Sequence, residues 1–188
     1  MSHVIRFADP DRDAGAISAI YRPAVEETVA TFEEVPPSAA DFAGRIRSIQ
    51  AWTPWLVVED VASHEVVGYA YASRHRERAG YRWSVDVSAY IAPAHRGHGL
   101  GRLLYDALLA ILRRQGFVNV YAGIAPPNPA SVALHQAIGM LPIGVYERVG
   151  YKFGTWHDVA WYGMRLVDPP AEPADPIPIA DLPPDPGA

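Results

Sequence analysis

The sequence predicts an α/β fold of the α+β kind, a mixed, mostly antiparallel sheet flanked by helices in the order β-α-α-β-β-β-α-β-α-β-β. Three observations carry that prediction. The alternating run Ser88-Ala89-Tyr90-Ile91-Ala92 stops at Pro93 and feeds the glycine-rich stretch His95-Arg96-Gly97-His98-Gly99-Leu100-Gly101-Arg102. Directly after it, Leu100, Leu103, Leu104, Ala107, Leu108, Ile111 and Leu112 fall at steps of 3, 1, 3, 1, 3 and 1, the apolar stripe of a helix. Finally, Trp55-Leu56-Val57-Val58-Glu59 and Glu65 to Ala72 read as two strands around a turn near Ala62-Ser63.

The remaining elements follow in order. Val4-Ile5-Arg6-Phe7 reads as a first strand. Asp9-Pro10-Asp11 offers caps for a helix over 11–22, with Ala16, Ile17, Ile20 and Tyr21 on one face, and Pro23 is expected to end or kink it. Val25 to Glu33 is ambiguous between continued helix and loop. Ser38-x-x-Asp41 resembles a capping box opening a helix to about Ile49. Residues 74–80 read as a polar loop, and Trp83 to Ile91 as the long central strand. Gly116 caps the striped helix, and Val118 to Ala125 makes the next strand. Asn128 or Ser131 starts a helix that Gly139 stops, and the strands 144–153 and 157–166 pair across Gly154-Thr155. From Asp168 the chain carries eight prolines in 21 residues, several acidic groups and no aromatics. The expected organisation is one domain over residues 1–167 and a flexible proline-rich tail over 168–188.

Composition narrows the function. The 188 residues are 49% hydrophobic and 20% charged, ordinary for a globular domain with a sizeable core. A net charge of −5 argues against nucleic acid as a partner. No apolar run approaches membrane-spanning length, so no membrane partner is expected. The first residues lack a signal-peptide core, and the expected compartment is the cytoplasm. With no cysteine, thiolate metal sites and a cysteine acyl-enzyme are excluded. The histidines and carboxylates show no compact ligand spacing, so no metal is expected.

A strand, a cationic glycine loop and a helix start outline an anion site. Glycine lets the backbone approach a ligand, and the free N–H groups of a helix start point at negative charge. The loop lacks the Gly-Lys-Ser/Thr of a P-loop, and Arg102 stands where the dinucleotide pattern needs its third glycine. Arg96-Gly97-x-Gly99-x-Gly101 instead resembles the pyrophosphate loop of the GNAT N-acetyltransferases, which bind coenzyme A. Tyr81-x-Trp83, Leu103-x-Tyr105, Gln115-Gly116-Phe117, Asn128-Pro129-x-Ser131-Val132-x-x-x-His135-x-x-Ile138-Gly139 and Gly154-Thr155-Trp156-His157-Asp158-Val159 narrow the likeness. Over residues 4–167 the chain resembles the phosphinothricin and methionine sulfoximine N-acetyltransferases of that superfamily.

The resemblance implies an acetyl-CoA-dependent enzyme that acetylates the amino group of a small amino-acid-like substrate, and a homodimer. Ala89, Tyr90 and Ile91 would pair with the pantetheine arm, Arg96, Gly97, His98, Gly99, Leu100, Gly101 and Arg102 would hold the pyrophosphate, and Asn128 would touch the donor farther along. Phe32 and Glu26 match positions in a segment that roofs the acceptor pocket. Val85 and Val87 fall beside the acceptor, and Arg74, Arg76 and Arg78 precede the central strand where the family binds acidic groups of its substrate. An arginine fork suits a phosphinate or carboxylate.

Attack on a thioester needs a free amine, so a carboxylate must take a proton from the acceptor ammonium. Asp86 stands where this family usually has glutamate, one methylene and about 1 Å shorter. Aspartate is disfavoured within strands, which singles it out as the candidate base. His135 stands where many GNAT enzymes carry tyrosine, and its intrinsic pKa near 6.5 suits donation to the leaving thiolate or a proton relay. Backbone N–H groups near Tyr90 are placed to polarise the thioester carbonyl. His157 reads as structural. Two other functions fit the same residues: a GNAT enzyme for a different amine, such as a polyamine or a protein N-terminus, and a non-catalytic acyl-CoA sensor in which Asp86 and His135 only support the fold.

Overall fold

The computed structural model describes residues 2–183. Seven strands form one mixed sheet: β1 (His3–Phe7), β2 (Trp55–Asp60), β3 (Val66–Arg74), β4 (Ser84–Ile91), β5 (Asn119–Ile124), β6 (Leu141–Lys152) and β7 (Thr155–Arg165). Their spatial order is β1-β2-β3-β4-β5-β7-β6. Four helices flank them: α1 (Ala14–Glu27), α2 (Ala39–Gln50), α3 (Leu100–Gln115) and α4 (Pro129–Ala137). The predicted element order is the observed one.

The pleat of the sheet divides the core into two layers. All six residues of β2 are buried. Its Leu56 and Val58 pack with Leu104, Leu108 and Leu112 of α3, while Trp55 and Val57 pack with Ile17 of α1 and Phe42 and Ile46 of α2. The apolar stripe read in the sequence is thus the buried face of α3. Gly116, at φ 89°, ends that helix in the left-handed region. The capping box forms as expected: Ser38 accepts from the Asp41 N–H, and the Asp41 carboxylate accepts from the Ser38 N–H.

One helix boundary departs from expectation. Instead of ending at Pro23, α1 continues through it to Glu27. The extra turn buries Ala24 and Val25 in the second core layer, which offsets the ladder hydrogen bond that proline removes. The following segment, 28–38, is irregular and crosses toward β6.

The segment after Asp168, read as a flexible tail, lies against the domain over its described part. The Trp83 indole N–H donates to the Ala174 carbonyl at 2.8 Å, and Arg82 pairs with Asp175 at 2.9 Å. The Ile177 N–H donates to the Gln115 carbonyl, and the Gln115 side-chain amide donates to the Ile177 carbonyl at 2.7 Å. Proline-rich backbone has few donors, but its carbonyls accept from Trp83 and the buried Gln115. Residues 184–188 of that tail lie outside the described residues.

Candidate active site

The site begins where two strands separate. β4 pairs with β5 in parallel only over Ser84–Asp86 opposite Asn119–Tyr121. Beyond Asp86 the two diverge, leaving a cleft of about 740 Å³ between Val87–Ile91 on one side and Ala122–Ile124 on the other. β4 still pairs with β3 along its far edge, so its cleft edge is backbone without a strand partner over these residues. Ala89, Tyr90 and Ile91 all line the cleft, as expected of residues that offer backbone hydrogen bonds to an extended ligand.

The glycine loop closes one end. Gly97 and Gly99 take φ of 79° and 78°, the left-handed conformation that glycine adopts without strain. Gly99 is the N-cap of the sixteen-residue α3, whose first turn has no acidic residue and no side-chain cap. Its first N–H groups and the positive end of its dipole therefore face the cleft. Arg96 bends back, its Nε donating to the Ile91 carbonyl at 3.1 Å, and its side chain remains exposed at the cleft wall.

Gly101 and Arg102 line the cleft and also join α3 to α4, whereas His98 stands outside it. Arg102 is tied to Asp106 at 3.1 Å and to the Ala137 carbonyl at 2.7 Å, which fastens α3 to the end of α4. Gly101 lets α3 approach α4 closely: a Cβ there would stand 2.9 Å from Leu134 Cδ2. His98 is exposed and is not among the residues that line the cleft. Leu100 contributes backbone only, because its side chain is core. Asn128 lines the far wall while its Oδ1 accepts from the Ser131 N–H, the cap of α4.

Asp86 lies on the opposite face of β4 from the buried Val85 and Val87. The β3–β4 register sets it beside Ser73, and its Oδ1 accepts from His75 Nδ1 at 2.7 Å. Burial pushes the Asp86 carboxyl above its ordinary value, and the His75 hydrogen bond and the Arg76 charge pull the other way. The His75 ring lies 4.6 Å from the Tyr121 ring and 6.1 Å from that of Trp161. Farther along this face, Phe32 of the 28–38 segment packs against Gly150, where a Cβ would run into its ring, and near His157 at 6.2 Å. Lys152 holds that segment down: buried at 4% exposure, its ammonium donates to the carbonyls of Thr28 at 2.9 Å and Thr31 at 2.8 Å.

The other expected acceptor contacts separate. Val85 is fully buried and Val87 nearly so in the α3 core, because alternation along β4 turns them away from Asp86. Only Val87 borders the donor cleft. Arg74 also points to the α3 side, its guanidinium 5.5 Å from the Trp52 ring. Arg78 is exposed where a short 3-10 turn begins. Arg76, exposed beside His75, is the arginine whose charge acts on Asp86.

His135 lines the cleft yet is buried. Its Nδ1 donates to the Ser131 carbonyl at 2.7 Å, and its Nε2 accepts from the Tyr105 hydroxyl at 3.0 Å. Burial lowers its pKa, which favours the neutral ring, and in that form the Nδ1 proton is engaged with the Ser131 carbonyl. In this arrangement the Nδ1 proton points at the Ser131 carbonyl, and Nε2 forms a hydrogen-bonded pair with the Tyr105 hydroxyl. The His135→Leu variant should lose about 1–3 kcal/mol of stability, because the buried Tyr105 hydroxyl loses its acceptor. Since the folded pKa lies below the unfolded one, wild-type stability should fall as pH drops through the ordinary histidine value of 6.5. Thermal melts across that window check the sign, and the variant should lose this component.

His75, Lys152, Tyr121 and Trp161 went unnoticed in the sequence. His75 carried one usable signal: extending the third strand from Ala72 by three residues brings it beside the central strand. Among the described residues no group of three or more histidine, cysteine or carboxylate side chains could hold a metal ion. No helix among them is long and apolar enough to cross a membrane.

A long cleft that ends at a glycine loop and a helix start, beside a half-buried carboxylate on the same strand, has the form of a group-transfer site. Residues 5–161 match the acetyltransferase (GNAT) domain, and the chain belongs to this family of N-acetyltransferases. It is 37% identical over 158 residues to the phosphinothricin N-acetyltransferase of Streptomyces coelicolor, covering 83% of this chain and 92% of that protein. It is also 37% identical over 166 residues to the L-methionine sulfoximine/L-methionine sulfone acetyltransferase of Salmonella typhimurium, covering 86% and 94%. The crystal structure of a phosphinothricin acetyltransferase from Sinorhizobium meliloti in complex with AcCoA superposes with a TM-score of 0.86 at 36% identity, covering 97% of this chain and 99% of that one.

Proposed function

We propose that the protein acetylates the amino group of a small amino-acid-like acceptor of the phosphinothricin or methionine sulfoximine type, with acetyl-CoA as the donor. The observation that carries this reading is the separation of β4 from β5 just beyond Asp86. It leaves the backbone edge of Val87–Ile91 free for the donor's arm, while Asp86 stands at the near end of that edge. The names of the relatives support the acceptor class, and the AcCoA-bound neighbour supports the donor.

In this reading the loop Arg96–Gly99 and the start of α3 hold the pyrophosphate, and Ala89–Ile91 pair with the pantetheine arm. Arg76 offers its charge to the acceptor's acid group. Asp86 takes one proton from the acceptor ammonium, and the amine attacks the acetyl carbonyl while backbone N–H groups near Tyr90 bear the developing oxyanion. The C–S bond breaks, the nitrogen gives up its second proton to solvent at the open cleft, and the thiolate is protonated from the same solvent. Transfer is direct, as the absence of cysteine requires for the simplest route.

The assembly in this reading is a homodimer built on β6 and its turn. β6 is an edge strand, and Leu141, Ile143, Val145, Val149, Tyr151 and Phe153 leave 52–69% of their surface exposed. An apolar edge of this size is a hazard in a monomer and a natural interface in a dimer. The compartment is the cytoplasm, where the donor is available.

The test is thiol release from acetyl-CoA with phosphinothricin, methionine sulfoximine, methionine sulfone, spermidine and a short peptide. Turnover confined to the amino-acid analogues is expected. Preference for spermidine or the peptide would overturn the acceptor class and keep the donor. Tight binding of acetyl-CoA without turnover on any acceptor would favour a sensor.

A further inference from the structure

We propose that His75 is a positioning residue for the transfer reaction: its Nδ1–H holds Oδ1 of Asp86 and leaves Oδ2 to receive the acceptor's proton. The inference deepens the proposed function and rests on Asp86 being the base.

The geometry is specific. The 2.7 Å contact joins two groups whose side chains are 16% and 26% exposed. A carboxylate only accepts, so His75 Nδ1 carries the hydrogen. Its backbone N–H is itself tied to the Ser84 carbonyl at 3.3 Å. The ring is confined by Tyr121, Tyr81 at 6.1 Å and Trp161. A histidine that merely filled space would not need its nitrogen aligned with the carboxylate, and a strand aspartate without this partner would be free to rotate.

Two problems of the short carboxylate are met together. Aspartate has one fewer methylene to place its oxygens, and the fixed imidazole restricts them to one orientation. Burial favours the neutral acid, which is useless as a base, and the charge-assisted hydrogen bond favours the ionised form. The other groups facing the pair are the Arg76 guanidinium, which also favours the carboxylate, and the phenol side chains of Tyr71, Tyr81 and Tyr121. In the step itself Asp86 gains the first proton that the ammonium loses, the amine nitrogen forms the C–N bond and releases its second proton to solvent, and the C–S electron pair leaves on sulfur, which is protonated from solvent. His75 keeps its proton throughout.

The test compares pH profiles of kcat/KM for the acceptor in wild type, His75→Phe, His75→Asn and Asp86→Asn. His75→Phe keeps a ring against Tyr121 and removes the donor. It should lose about 10- to 100-fold at neutral pH, with its acidic limb moved to higher pH and the KM for acetyl-CoA unchanged. His75→Asn, whose amide N–H can reach the carboxylate, should recover part of the rate and return the limb toward wild type. Should His75→Phe fail to fold by thermal melting, the limb of His75→Asn against wild type carries the test. It should then move by less than half a pH unit, and a rate with no acidic limb would refute the idea. An unmoved limb in a folded His75→Phe, with Asp86→Asn inactive, would overturn the part given to His75 and leave the base intact. Full turnover in Asp86→Asn would overturn the base itself.

Discussion

Replacing Asp86 by asparagine is expected to lower kcat by about 10²–10⁴-fold, the range of a lost general base, while acetyl-CoA binds as before. Asp86 stands at the near end of the cleft and is not among the residues that line it, so the substitution leaves Ala89–Ile91 and the glycine loop untouched. The pH dependence has a defined sign. Burial raises the Asp86 pKa, so activity should fall as pH drops through a value above the ordinary carboxylate range. Stability should move in the opposite sense. A folded pKa above the unfolded one means that the ionised carboxylate costs stability as pH rises. The asparagine variant should therefore melt no lower than wild type at alkaline pH. Isothermal titration, melts and initial rates on one preparation separate these outcomes. A drop in activity accompanied by weaker donor binding and a lower Tm would mean structural damage instead.

Replacing Lys152 by methionine is expected to raise the acceptor KM at least about 10-fold and to destabilise the protein. The Lys152 ammonium bridges β6 to the carbonyls of Thr28 and Thr31, and losing hydrogen bonds to a charged donor costs about 1–3 kcal/mol each. These two residues flank the turn that carries Phe32 over the face shared with Asp86, while Tyr21 and Arg45 secure its other end through Thr31 and Glu33. Losing the lysine frees one end only. The acceptor's KM should therefore change more than the donor's, although Thr28, Val29 and Ala30 also border the donor cleft. Separate KM values for the two substrates check the distinction. Equal increases would mean that the segment serves the cleft as a whole.

The fold was legible because its signals are local. The stripe of α3 has the helical period, the capping box at Ser38 and the stop at Gly116 are short-range patterns, and strand alternation sorts β2 into two faces. The boundary at Pro23 was misread because burial of Ala24 and Val25 is a tertiary gain that no local rule contains. The cleft end was legible for the same reason as the fold, since glycine conformation and a helix start are chain-local. Arg102 and Gly101 line the cleft and also make the contact between α3 and α4, a second duty that the loop pattern does not announce. The acceptor side depends on strand register. Val85 and Asp86 are adjacent in sequence and face opposite layers, and Arg74 goes with Val85. His75 and Lys152 act across 11 and more than 120 residues of chain, separations that composition and spacing do not encode.

Initial velocities with acetyl-CoA and methionine sulfoximine varied together test the central claim most directly, with free thiol and acetylated amine both measured. Direct transfer predicts equal amounts of the two products and intersecting reciprocal lines, because both substrates must be bound before the acetyl group moves. Thiol release without acetylated amine, or parallel lines from a covalent acyl-enzyme, would contradict it.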